Sequence, residues 1–152
     1  MLQNIKVALA TYIDKYRKPG LPEPELSGLY ALHPERGDLV STVEMQWPAD
    51  WQHARKTGVY FVFAKDGQLL YVGKAWHIGS RLAAYFDFDA DKRCRQIGRK
   101  WSKEPAYVAT IACPEGMSFE AGALEEYFIQ VLTPRPTDNI QGYQGKNVAA
   151  TV

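Results

Sequence analysis

Two tyrosines, an arginine and a glutamate are the residues of this chain whose types and spacing could do chemistry: Tyr60, Tyr71, Arg81 and Glu125. Tyr60 closes a Gly-Val-Tyr and Tyr71 opens a Tyr-Val-Gly, with Asp66-Gly67 between them. A two-residue turn at Asp66-Gly67 pairs Lys65 with Gln68, Val62 with Tyr71 and Tyr60 with Gly73. Side chains alternate along a strand, so Tyr60, Val62, Tyr71 and Gly73 share one face. The tyrosines are then diagonal neighbours, roughly 7–8 Å apart at the backbone. Gly73 offers no side chain opposite Tyr60 and leaves open space beside its ring. Val59, Phe61, Phe63, Leu70 and Val72 form the other, apolar face. A lone tyrosine would mean only a good strand former. The pair, the shared face and the facing glycine say more. A three-residue turn would shift the register by one and separate them.

Arg81 and Tyr85 are four apart and share a helix face shortly after Gly73, within reach of the tyrosines. A guanidinium presents a planar fork of donors suited to phosphate. In "LEEYF" the two glutamates differ. Glu125 lies nearer the apolar stripe of Leu124, Phe128 and Val131 than Glu126 does. A carboxylate there is costly unless paired or bound to a cation. Its bland alternative is a head that snorkels to water.

The elements that must position these residues follow from pattern. Apolar residues at helical spacing predict a helix over about Leu2 to Arg17, ended by "KPGLPEPEL". "DLVSTVEMQW" reads as a strand, and "GVYFVFA" and "QLLYVG" as a hairpin. A helix carries Arg81 and Tyr85. A second, basic helix spans roughly Ala90 to Ser102, with Cys94, Ile97 and Trp101 on its apolar face. "AYVATIAC" is a third strand, and "SFEAGALEEYFIQVL" a last helix ended by "TPRPTDN". The expected fold class is α/β (α+β), a small, mainly antiparallel three-stranded sheet flanked by helices. Residues 1–56 form an N-terminal extension packed on the core, 57–139 the core, and 140–152 a tail.

Composition narrows the function. The chain has 152 residues, 46% hydrophobic and 23% charged, enough for one domain. No apolar run approaches the ~20 residues of a membrane helix, and the start lacks a signal peptide's order. Cys94 and Cys113 form no CxxC, which favours a reducing cytoplasm. His33, His53 and His77 share no metal-site spacing, so zinc is not expected. The net charge of +1 hides an asymmetry. From Gly20 to Trp51 acids dominate; from Lys56 to Lys103 bases do.

Gly58-Val59-Tyr60, Tyr71-Val72-Gly73, Arg81 and Glu125 together resemble the GIY-YIG nuclease family. The resemblance covers about Thr57 to Asn139. "GVYFVFAKDGQLLYVGKA" followed by "RLAAYF" is particularly similar to the N-terminal nuclease domain of the bacterial excision-repair nuclease. The resemblance implies that Tyr60 orients or deprotonates the attacking water and that Tyr71 hydrogen-bonds in the same site. It implies that Gly73 permits close packing, that Arg81 holds the scissile phosphate, and that Glu125 is the sole protein ligand of a divalent metal. Lys74 follows the second motif as a phosphate contact. Tyr85 stands where some members have histidine. Asn139 resembles the asparagine that closes the family core, two residues later than the usual spacing. Gly79 is an unusual residue inside the helix that carries Arg81.

Phosphodiester hydrolysis suits these groups. One Mg²⁺ (or Mn²⁺) held by a single carboxylate, phosphate oxygens and waters is normal for that ion. A tyrosine with an ordinary pKa of about 10 must be shifted down by Arg81 or Lys74 to act as base, or else it only positions water. Lys92, Arg93, Arg95, Arg99, Lys100 and Lys103, with no acid between them, suit DNA phosphates without sequence readout. The expected protein is a metal-dependent DNA endonuclease acting on double-stranded or branched DNA, for restriction, repair or a mobile element. The extension could also form a homodimer interface. The alternative is a catalytically silent scaffold that binds branched or damaged DNA. A protein-interaction domain or an enzyme unrelated to nucleic acid would make both motif and basic run accidents.

Overall fold

In a computed structural model, residues 1–36 and 52–139 are described. The expected strand "DLVSTVEMQW" and the tail 140–152 lie outside them. Helix α1 spans Leu2–Tyr16 and buries Ile5, Leu9 and Tyr12, one stripe of its surface. Two short strands follow, β1 (Glu25–Leu26) and β2 (Tyr30–Ala31), then a single 3-10 turn at Pro34–Arg36. Strands β3 (Gly58–Ala64) and β4 (Leu69–Ala75) form the hairpin, and α2 (Ile78–Ala83) follows. Then come β5 (Phe86–Phe88), β6 (Cys94–Gln96), β7 (Pro105–Ala112) and α3 (Glu120–Val131).

The main sheet has the order β1-β7-β3-β4, with β2 also paired to β7. Its three long strands are those of the sequence reading, and every pairing is antiparallel. The short strands of the N-terminal segment extend it along β7. Central β3 is buried along its whole length because both sheet faces are covered. On one face Val59, Phe61, Phe63 and Val72 pack under α1 and α3, with the Phe128 ring edge-on to Phe61 at 5.0 Å. On the other, Tyr60, Val62 and Ala64 pack against α2, Phe86 and Trp101.

Two expectations need correction. The turn is longer than expected: the Ala64 amide donates to the Gln68 carbonyl at 2.9 Å and the Gly67 amide to the Ala64 carbonyl at 3.0 Å, so Gln68 faces Ala64 rather than Lys65 and three residues, Lys65 to Gly67, form the loop. The register is nevertheless as read at Tyr60–Gly73 and Val62–Tyr71, because it shifts back between Val62 and Phe63, where Phe63 pairs with Leu69. This bulge adds a residue on β4, so Leu70 turns to the Tyr60 side and Leu69 takes its place in the other core. The basic helix over Ala90 to Ser102 does not form. Its residues build β6, which pairs with β5, and an extended return. Lys92 and Gly98 both have positive φ, at 59° and 69°. At Gly98 an added Cβ would sit 2.5 Å from the Ala84 carbonyl oxygen, so the glycine serves a close approach rather than a helix. Cys94 and Trp101 are buried as expected, but Ile97 is exposed.

Behind α3 lies a buried ion pair that periodicity did not reveal. Arg17 Nε lies 2.9 Å from Glu120 Oε2, and Tyr12 donates to the same oxygen at 3.0 Å. Arg17 also donates to the Pro22 carbonyl at 2.6 Å, so the guanidinium is shared between α3 and the turn after α1. These contacts and the Tyr127 hydroxyl bond to the Ala8 carbonyl tie α1 to α3.

Candidate active site

Tyr60 projects from β3 opposite Gly73, as the hairpin register requires. It is 1% exposed. The space left by Gly73 is not empty: the Tyr60 ring leans across it, so a Cβ at Gly73 would lie 2.4 Å from Tyr60 Cζ and Oη and 2.7 Å from Tyr71 Cε1. The Tyr60 and Tyr71 rings are 6.0 Å apart between centroids. Tyr60 donates a long 3.3 Å hydrogen bond to the Tyr85 hydroxyl. Tyr85 lies two residues beyond the end of α2 at Ala83, so the helix face expected to carry both Arg81 and Tyr85 does not form, and the turn leaving α2 supplies the neighbour of Tyr60.

Burial pushes the Tyr60 phenol well above its ordinary pKa, and the Tyr85 hydrogen bond pushes it further. Nearby Arg81 acts in the opposite direction but does not prevail. The phenol is therefore neutral at ordinary pH, suited to hold a water by hydrogen bonding rather than to take a proton as phenolate.

Arg81 lies on α2, whose start is capped by His77 Nδ1 accepting from the Ser80 amide at 3.2 Å. Gly79 is explained here. Its amide donates to the Ala54 carbonyl at 2.8 Å, and an added Cβ would meet that oxygen at 2.9 Å. The glycine lets α2 dock on the segment before β3. Arg81 and Lys74 are exposed and line one cleft of about 280 Å³, together with Thr57, Trp76 and Phe119. Lys74 Nζ stands 3.6 Å from Glu125 Oε2, which links the cleft to α3. A Cβ on Gly122, one turn earlier on α3, would make an ordinary 3.7 Å contact with Lys74 Nζ.

Glu125 is half-buried and Glu126 exposed, the difference expected from helical spacing. Desolvation raises the Glu125 pKa, against the lowering effect of Lys74. Among the described residues no cluster of three or more His, Cys, Asp or Glu could hold a metal ion. A lone, partly desolvated carboxylate 3.6 Å from a lysine of the cleft fits Mg²⁺, which keeps most of its waters.

Asn139 makes a two-point contact with β4. Its Oδ1 accepts from the Val72 amide at 2.8 Å, and its Nδ2 donates to the Val72 carbonyl at 3.0 Å. The Asp138 amide donates to the Leu70 carbonyl at 2.7 Å. Residues 137–139 thus cover the free edge of β4 and fix the strand that carries Tyr71 and Gly73.

The basic run is dispersed rather than gathered on one helix face. The Arg99 guanidinium lies over the Tyr71 ring at 4.0 Å and the Trp101 ring at 4.7 Å. Arg95 is paired with Asp87 and Lys103 with Asp66. Lys92, Arg93 and Lys100 are exposed. Sequence reasoning missed the Arg99–Tyr71 stack, because the chain reversal that brings them together is tertiary. It also missed exposed Trp76 and Phe119 in the cleft.

A family model described as the UvrC-like GIY-YIG domain matches residues 56–136. The chain belongs to that family and carries a GIY-YIG nuclease domain. UvrABC system protein C of Campylobacter jejuni is 36% identical over 83 residues, 52% of this chain. The match spans 14% of that relative's length. No solved structure matches. Among the described residues no helix is long and apolar enough to cross a membrane.

Proposed function

We propose that this chain is a metal-dependent DNA endonuclease that hydrolyses a phosphodiester bond at the cleft between α2 and α3. The observation that carries the reading is the convergence of Lys74 and Arg81 in one cleft, with Glu125 held 3.6 Å from Lys74. Arg81 binds the scissile phosphate through its fork of donors. Lys74 adds a second positive charge on a phosphate oxygen and leaves Glu125 when the phosphate enters. Tyr60 and Tyr71 hold the attacking water by hydrogen bonds, with the Tyr60 proton retained. Tyr85 fixes the orientation of the Tyr60 hydroxyl. Glu125 would hold one Mg²⁺ or Mn²⁺ ion, which supplies Lewis-acid stabilisation of the leaving oxygen when bound. Arg99, Lys92, Arg93 and Lys100 contribute phosphate contacts beside the site, and Arg95 and Lys103 do so on releasing their carboxylate partners.

A second reading is a catalytically silent scaffold that holds branched or damaged DNA. It draws on the Lys74–Glu125 pair, which already gives the carboxylate a cationic partner. Supercoiled plasmid incubated with Mg²⁺ or Mn²⁺ separates the two. Metal-dependent relaxation by the parent, abolished by EDTA, is expected. Plasmid that is bound but never cut would favour the scaffold.

A further inference from the structure

Trp76 and Phe119 are 78% and 75% exposed, the largest exposures among the big apolar side chains described. Both line the cleft that holds Lys74 and Arg81. Neither sits on a loose backbone. Thr57 Oγ1 donates to the Trp76 carbonyl at 2.7 Å, and the Ile78 amide donates to the Lys56 carbonyl at 3.0 Å, so the corner after β4 is pinned on both sides. Phe119 immediately precedes α3, whose first residue, Glu120, is anchored by its side chain in the buried Arg17 pair. Two rings are thus held outward on fixed backbone beside Arg81 and Lys74, the latter 3.6 Å from Glu125 Oε2, with no acid among the residues lining the cleft itself.

A ligand that matches this surface must be both anionic and aromatic. An apolar protein patch would leave the cations unused, and an inorganic anion would leave the rings unused. We propose that Trp76 and Phe119 form a stacking subsite for an unpaired nucleobase next to the scissile phosphate, so that the DNA taken at this cleft carries a single-stranded segment at the cut. The subsite rests on the nuclease reading of the same cleft and adds its substrate class. Paired bases stack on one another and hide their faces, whereas an unpaired base offers one to an aromatic ring. Every base has such a face, so the subsite selects DNA form rather than sequence.

The test is binding in EDTA, which needs neither metal nor cleavage. Fluorescent oligothymidylate and a duplex of equal length are titrated against the parent, Trp76→Ala, Phe119→Ala and Trp76→Phe at one salt concentration. Each alanine variant should weaken oligothymidylate binding on the order of 10-fold. Duplex binding, which uses phosphate contacts, should change less than about 2-fold. Trp76→Phe should restore most of the loss. Tryptophan emission should be quenched by oligothymidylate in the parent and much less in Trp76→Ala. Equal weakening on both DNAs, or none on either, would overturn the subsite. So would a smaller sedimenting species in the variants, which would assign the rings to a contact between copies. Selective loss in the alanine variants together with a parent that never nicks plasmid refutes the nuclease reading alone. A parent that nicks while its variants bind like it refutes the subsite alone.

Discussion

Replacing Gly73 by alanine tests the geometry of the site at its tightest point. The new Cβ would lie 2.4 Å from two atoms of Tyr60 and 2.7 Å from one of Tyr71. Ordinary carbon contacts are about 3.5–4.0 Å, so the Tyr60 ring must retreat by roughly 1 Å. It has nowhere to go, because it is 1% exposed and flanked by the Tyr71 and Tyr85 rings at 6.0 and 6.1 Å. Overpacking of this kind costs about 1–3 kcal/mol. Removing a glycine from a strand returns about 0.5–1 kcal/mol. The expected net loss is about 0–2.5 kcal/mol, read as a fall in Tm of up to roughly 10 °C. Activity should suffer far more, since a ~1 Å displacement of positioning groups costs on the order of 100-fold. Thermal unfolding and plasmid-nicking rates, measured well below the Tm, separate the two effects. Gly122→Ala is the control. Its Cβ would make only an ordinary 3.7 Å contact with Lys74 Nζ, and the helix should gain up to about 0.5–1 kcal/mol. A Gly73→Ala protein that nicks within a few-fold of the parent would refute the claim that Tyr60 is fixed against Gly73 for the reaction.

Two further outcomes follow from the charges. Glu120→Ala leaves Arg17 buried without its partner and should destabilise the fold by about 3–5 kcal/mol in urea unfolding. A loss below about 1 kcal/mol would mean that the guanidinium finds water easily. Glu125 has a raised pKa in the folded chain, so the folded state binds its proton more readily than the unfolded one. The ionised form therefore subtracts stability above the ordinary carboxylate pKa of about 4, and that subtraction vanishes below it. Glu125→Gln should be more stable than the parent at neutral pH, with the gain disappearing in urea unfolding near pH 4. A gain that grows on acidification would contradict the sign.

Several parts of this structure were legible before any coordinates. The alternation of the hairpin put Tyr60 against Gly73, although the loop at Asp66-Gly67 has one residue more than the two-residue turn read from the sequence and the bulge at Leu70 offsets it. Helical spacing separated half-buried Glu125 from exposed Glu126. The bulge at Leu70 was not legible, since a run of apolar residues reads the same with one residue extra. The basic helix failed for a related reason. Charge and propensity over Ala90 to Ser102 allow a helix, but the positive φ at Gly98 and the pairing with β5 are set by the Ala84 carbonyl and the core beneath. Arg99 over Tyr71, and Trp76 in one cleft with Phe119, join residues far apart in the chain that no local pattern connects.

The central claim is that Tyr60, Tyr71, Arg81 and Glu125 form one nuclease site. It is tested most directly by measuring supercoiled-plasmid nicking rates with Mg²⁺ or Mn²⁺ for the parent and for Tyr60→Phe, Tyr71→Phe, Arg81→Ala and Glu125→Ala, with each variant's fold checked by its Tm. The account predicts metal-dependent nicking by the parent and a loss of at least about 100-fold in Arg81→Ala and Glu125→Ala, with Tyr60→Phe falling by the same order. Nicking that survives Glu125→Ala or Arg81→Ala at the parental rate would contradict it.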